Sequence, residues 1–192
     1  RRVLFRSEAI PTLMALRQQM GLAFFELDKL AEADREFQRL YDMSAERIAL
    51  KGRTDAARSN RARIALVWTP VKKRLTSEPA AAMTLLNESE ALARECLSDP
   101  HPLPGSPSKE ELQELLSAVL QNKAVENLHQ GQLIEGEKNF AEALQLIAAV
   151  LQTVRSAPDF AKLSENEKDA LTAARQINHD KLALGQIGRA HV

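Results

Sequence analysis

Arg17 to Leu40, RQQMGLAFFELDKLAEADREFQRL, reads as two helices and the tight turn between them. Met20, Ala23, Phe24 and Leu27 continue steps of three and four residues begun by Leu13 and Leu16, the spacing of one apolar helix face. Asp28-Lys29 breaks that pattern, and Leu30, Ala33, Phe37, Leu40 and Tyr41 start it again as the inner face of a second helix. Gly21 lies inside the first helix, where it costs about 1 kcal/mol relative to alanine. A glycine kept there predicts that another backbone approaches closely. Ala33 is small and Phe37 large, as a tight helix pair requires where the two helices cross.

The order Met20-Gly21, Phe24, then Ala33-x-x-x-Phe37 resembles the tetratricopeptide helix-turn-helix repeat, whose skeleton is a large residue, Leu-Gly, an aromatic and Ala-x-x-x-Phe. Arg17 stands in place of the family's Trp, and Met20 in place of its Leu. The unit returns later in the chain, where Gly136-x-x-x-Phe140 with Ala143-Leu144 replaces Ala33-x-x-x-Phe37 with Leu40-Tyr41. Ala124 then falls on Gly21, Asn127 on Phe24 and Gly131 on Asp28, each 103 positions further on. That interval is close to three standard repeats of about 34 residues. Between the two hairpins, however, the sequence reads as one long hairpin and a proline loop, so units of about fifty residues with lengthened helices fit better.

What the resemblance implies is an all-α fold, an α-α superhelix of stacked antiparallel hairpins with about seven helices. The first helix of each hairpin would line a concave groove. On that mapping Gln18, Leu22, Phe25 and Glu26 come from the first unit, and Asn60, Ile64 and Val67 from the second. Gln121, Val125, Leu128 and His129 come from the third. The implied function is a non-catalytic scaffold that binds a peptide or protein segment in that groove. The Lys and Asn set with which family members clamp a C-terminal carboxylate is absent from these positions, so a heat-shock chaperone tail is not an expected ligand. Two alternatives stand beside this reading. One is a regulatory repeat region of a larger enzyme, such as a bacterial serine/threonine kinase; the other is a plain closed helical bundle.

In chain order, the first helix is expected from about Pro11 to Leu27 and the second from Leu30 to Leu50, stopped by Lys51-Gly52. Thr54 can cap a third helix, which Pro70 should kink or interrupt, with Val71 to Leu75 as a bent extension. Ser77-Glu78-Pro79 opens a fourth that ends near Leu97. Ser98 to Pro107, SDPHPLPGSP, cannot be helix. Ser108 with Glu111 forms a capping box for a fifth helix to about Gln130, and Leu133 to Val154 forms the sixth. Ser164 with Glu167 repeats the box before a seventh, whose Leu184-Gly185 reads as the start of another unit. The array is expected over residues 8–186, with units at about 11–52, 53–100 and 108–157 and a partial one at 164–186.

Both ends are expected to be non-native. RRVLFRS can be encoded CGA-CGT-GTG-CTC-TTC-CGA-TCT, and the reverse complement, AGATCGGAAGAGCACACGTCG, read from its ATC, encodes the closing IGRAHV. Unrelated termini have no reason to be complementary, so residues 1–7 and 187–192 are read as translated sequencing-adapter DNA and the rest as a fragment of a longer frame. Removing Arg1, Arg2, Arg6 and Arg189 from the 26 basic residues leaves 22 against 26 acidic ones. That balance does not fit a nucleic-acid partner, which requires a clustered basic surface. Nor does any apolar run approach the ~20 residues of a membrane helix. A protein or peptide partner is expected instead.

Cys96 is the only cysteine, so no internal disulfide can form and a reducing compartment, the cytoplasm, is expected. It sits on an apolar stripe and is expected to be a buried structural thiol. His101, His129 and His179 lack a second ligand at metal spacing, and no phosphate loop or nucleophile motif occurs. Neither catalysis nor a cofactor is therefore expected. Asn87-Glu88-Ser89 has glycosylation spacing but falls within a predicted helix, so it carries little weight.

Overall fold

The computed structural model describes residues 2–51, 54–76, 79–100, 103 and 105–187. It is all-α: seven α-helices, one short 3-10 turn and no strand among the described residues. In order they are α1 (Arg2–Glu26), α2 (Leu30–Lys51), α3 (Asp55–Leu75), α4 (Pro79–Ser98), α5 (Lys109–His129), α6 (Leu133–Ser156) and α7 (Glu165–Ile187). The 3-10 turn, Phe160–Lys162, precedes α7. Helices pack mainly on their neighbours in sequence, as stacked hairpins do. The chain divides into two compact units, Arg1–Ser106 and Pro107–Val192.

Local chemistry accounts for the helix starts. Thr54 accepts from the Ala57 amide at 3.3 Å, satisfying one orphan donor of α3. Ser108 and Glu111 close a full capping box, and Ser164 with Glu167 closes a second. The stop expected at Gly52, the start at Ser77-Glu78 and His101 lie outside the described residues, as do 188–192. One helix boundary needs correction: α1 begins before Pro11 and runs through it. α3 continues through Pro70 to Leu75, where a continuation was expected. Pro70 is exposed, so water can meet the carbonyls it leaves without donors, while the Thr69 hydroxyl donates to the Ala65 carbonyl at 2.9 Å.

In the first unit, α1, α2 and α3 share one core with Met14, Ala33, Phe37, Leu40 and Trp68 at its centre. The nearest neighbour of Gly21 is a side-chain ring and not the backbone expected there. A Cβ there would lie 2.9 Å from Cε2 of Phe37, whose side chain is fully buried. The outward stripe of α1 is a correction of greater consequence. Leu13, Leu16, Met20 and Leu27 are 43–67% exposed, and Ala23 is exposed too. It is the side holding Met14 and Gly21 that is buried, with Ile10 and Phe24 packed against the core.

In the second unit, Phe140, Ala143, Ile147 and Leu151 form the inner stripe of α6 against α5. Buried Ser117 donates to the Ala143 carbonyl at 2.9 Å, tying the hairpin at its crossing. On α7, Leu171 and Ile177 are exposed, and Thr172 is buried.

The two hairpins α1–α2 and α5–α6 close with the same turn. Asp28 (φ 59) and Gly131 (φ 74) both occupy the left-handed region. The Lys29 amide donates to Phe24 O at 2.8 Å, as the Gln132 amide does to Asn127 O at 2.8 Å. Asp28 donates to Phe25 O at 3.1 Å, and Gly131 to Leu128 O at 3.0 Å. Both are Schellman caps, which absorb the last orphan carbonyls of the first helix. Every one of these pairs is offset by the same 103 positions.

Candidate functional site

The expected groove residues divide between the two units. Gln18, Leu22 and Phe25 from α1 and Asn60 and Ile64 from α3 belong to the first; Gln121, Val125 and Leu128 from α5 belong to the second. Leu22, Phe25 and Val67 are partly buried and pack against the same core cluster. Phe25 is covered on one face by the guanidinium of Arg74, 5.1 Å from the ring centre, which also donates to Asp28 at 2.6 Å. Gln18 and Asn60 are half-buried. Ile64 does not present a binding surface: it is 3% exposed and part of the core, so its place on the groove is withdrawn. On α5, Gln121 is half-buried and Val125 exposed. Leu128 sits where a Cβ on Gly136 would meet its Cδ2 at 2.9 Å, so its side chain fills the inside of the α5–α6 crossing. Glu26 and His129 are exposed.

Polar side chains of the first unit form two clusters that join helices. Arg61 lies 3.6 Å over the Tyr41 ring and donates to Glu88 at 2.7 Å, Ser44 at 3.0 Å and the Tyr41 carbonyl at 3.0 Å. The Tyr41 hydroxyl also donates to Glu88. Burial holds Glu88 above the ordinary carboxylate range and Arg61 below the ordinary guanidinium one. Trp68 Nε1 and Lys72 Nζ both donate to Oδ1 of Asp34, at 2.7 and 2.8 Å. Periodicity could not have found these clusters, because their helix-to-helix contacts join residues 17 to 47 positions apart.

At the far end of α3, Arg58 bridges Asp55, Asp99 (3.1 Å) and Glu95 (3.6 Å). Ser98 completes a shallow hollow of about 400 Å³ with Arg58, Glu95 and Asp99. Burial pulls the Arg58 guanidinium down, but Asp55 and Asp99 outweigh it and leave it above its usual value. Beside them Cys96 is buried, and its thiol donates to the Asp55 carbonyl at 3.6 Å. Burial raises that thiol from 9.0 to about 11.

At pH 8 about one Cys96 side chain in a thousand is therefore thiolate in the folded state. Maleimide labelling is expected to be slow in buffer and complete within minutes in urea; rapid native labelling would contradict the burial. The sign of the linkage follows from the same shift. An unfolded thiol ionises near pH 9 while the folded one holds its proton to about 11, so Cys96 subtracts stability as pH rises through that window.

The second unit has an open hollow of about 330 Å³ between α6 and α7, floored by Ala148 and Leu151 and edged by Arg155, Gln176 and His179. Arg155 donates to Gln176 at 2.7 Å, and His179 faces Asp180 at 3.2 Å. No sequence spacing pointed to it, since the two helices contribute residues on either side of a loop. Among the described residues no group of three or more His, Cys, Asp or Glu could hold a metal ion, and no helix is long and apolar enough to cross a membrane. Compared with family models, curated proteins and solved structures, the chain matches none.

Proposed function

We propose that this protein is a non-catalytic interaction scaffold, whose helical hairpins present half-exposed side chains to an extended or helical segment of another protein. The observation that carries the reading is the repetition of one hairpin. The same Schellman turn recurs 103 positions apart, and each hairpin has a close crossing at a glycine, on the first helix in one (Gly21 against Phe37) and on the second helix in the other (Gly136 against Leu128). Stacked hairpins of this kind build extended surfaces from side chains that the core does not need. Gln18 and Asn60 in the first unit, and Gln121 and Val125 in the second, are such side chains.

The test is selection of peptides from a displayed library against the folded chain, followed by measurement of their affinity in solution. Gln121→Ala together with Val125→Asp, or Gln18→Ala with Asn60→Ala, is expected to weaken the selected peptides at least ~10-fold. Melting temperature should stay nearly unchanged. Failure to enrich any peptide, or affinities indifferent to both pairs, would remove the proposal.

A further inference from the structure

We infer that the outward stripe of α3 is the docking surface for an acidic segment of the partner protein, with Arg63 holding a side-chain carboxylate of that segment. The inference rests on the scaffold reading and gives the partner of the first unit its chemistry.

α3 is the basic helix of that unit. From Ala56 to Arg74 it carries six basic residues and no acidic one. Four of the six are paired with carboxylates from other parts of the unit: Arg58 with Glu95 and Asp99, Arg61 with Glu88, Lys72 with Asp34, and Arg74 with Asp28. Lys73 is engaged as well. Arg63 is the exception. It is exposed and makes no hydrogen bond or ion pair among the described residues.

Packing decides which way this charge points. Ala57, Ile64, Ala65 and Trp68 are buried on one side of α3. That turns Asn60, Arg63, Val67, Pro70 and Arg74 outward along one line of the helix, each of them exposed or half-buried. α3 packs on α2 before it and on α4 after it, and the stripe stays open with both neighbours in place. Its outward charge is positive, so the complementary occupant is an acidic one.

The rest of the stripe supplies what a short segment needs besides charge. A guanidinium takes a carboxylate through two parallel hydrogen bonds. Pro70 has no N–H, so the Leu66 carbonyl lacks its helical donor and is free to accept a backbone amide of the segment. Val67 and Pro70 offer an apolar seat for one aliphatic side chain. They stand roughly 6–10 Å from Arg63 along the helix, a distance that an extended chain covers in about two or three residues. The expected occupant is therefore a segment with Asp or Glu at that spacing from an aliphatic residue.

Three displayed peptide libraries test this, identical except that their charged positions are Asp/Glu, Lys/Arg or Asn/Gln. The Asp/Glu library should enrich against the folded chain. Arg63→Glu should weaken the selected peptides at least ~10-fold, and the same variant should accept a peptide whose acidic residue is replaced by Lys. Raised ionic strength should weaken the native pair. Melting temperature should not change, because Arg63 has no partner to lose. Enrichment of neutral or basic peptides only, or acidic peptides indifferent to Arg63→Glu, would overturn this inference and leave the scaffold reading standing. Failure of all three libraries would remove both. Binding of a labelled single-stranded oligonucleotide that is lost in Arg63→Glu, with no peptide enriched, would assign the stripe to nucleic acid and overturn the inference as well.

Discussion

Phe37→Ala is expected to destabilise the first unit by about 3–5 kcal/mol, the usual cost of emptying a fully enclosed aromatic site. Phe37 is 0% exposed and shares its core with Trp68, the only tryptophan in the chain. Denaturant unfolding followed by Trp68 fluorescence therefore reports on this unit. The same ring controls the sign of a second substitution. Gly21→Ala should gain about 1 kcal/mol from helix propensity. It also puts a Cβ 2.9–3.1 Å from three carbons of a ring that has nowhere to move. Overpacking of that kind costs about 1–3 kcal/mol, so the net change in the native background is a loss. With Phe37→Ala the obstacle is gone, and Gly21→Ala should become stabilising. A double-mutant cycle measures this coupling directly; a stabilising Gly21→Ala in the native background would show that α1 and α2 can separate at no cost.

Arg58→Met is expected to cost about 3 kcal/mol, because removing one partner of a buried ion pair strands the other. Asp55 is 3% exposed and its carboxylate is held by Arg58, with Ser106 donating to it at 3.3 Å. Glu95 and Asp99 reach the same guanidinium, so the variant also leaves like charges close together. The position of Asp55 in the first turn of α3 softens the loss, since the helix N-terminus favours a carboxylate. Asp55→Asn combined with Arg58→Met should recover part of the lost stability by removing the stranded charge. A loss below about 1 kcal/mol for Arg58→Met alone would mean that water reaches Asp55 freely.

Much of the helical framework was legible in the sequence because its signals are local. Thr54, Ser108 with Glu111, and Ser164 with Glu167 satisfy amides within three residues, so cap and helix start are written side by side. The turn at Asp28 and its counterpart at Gly131 were legible for the same reason. The candidate surface was less so. Ile64 belongs to the core and Leu128 to a helix crossing, and Phe25 is half-covered by Arg74, a residue 49 positions away. Helical spacing identifies a face, but an apolar face reads the same whether it meets a core or a ligand.

The sequence by itself determined the helices, their caps and the two matching turns, all set by backbone hydrogen bonding over a few residues. Only the tertiary structure decided which side of α1 is covered. Leu13, Leu16 and Met20 have the same periodicity whichever way the helix is rotated about its axis, and the rotation is set by where α2 and α3 place Phe37, Leu40 and Trp68. The ion cluster around Arg58 was decided in the same way, by α4 bringing Glu95 and Asp99 to a residue about forty positions earlier in the chain. Burial belongs to the neighbours of a residue, and neighbours distant in sequence leave no local mark.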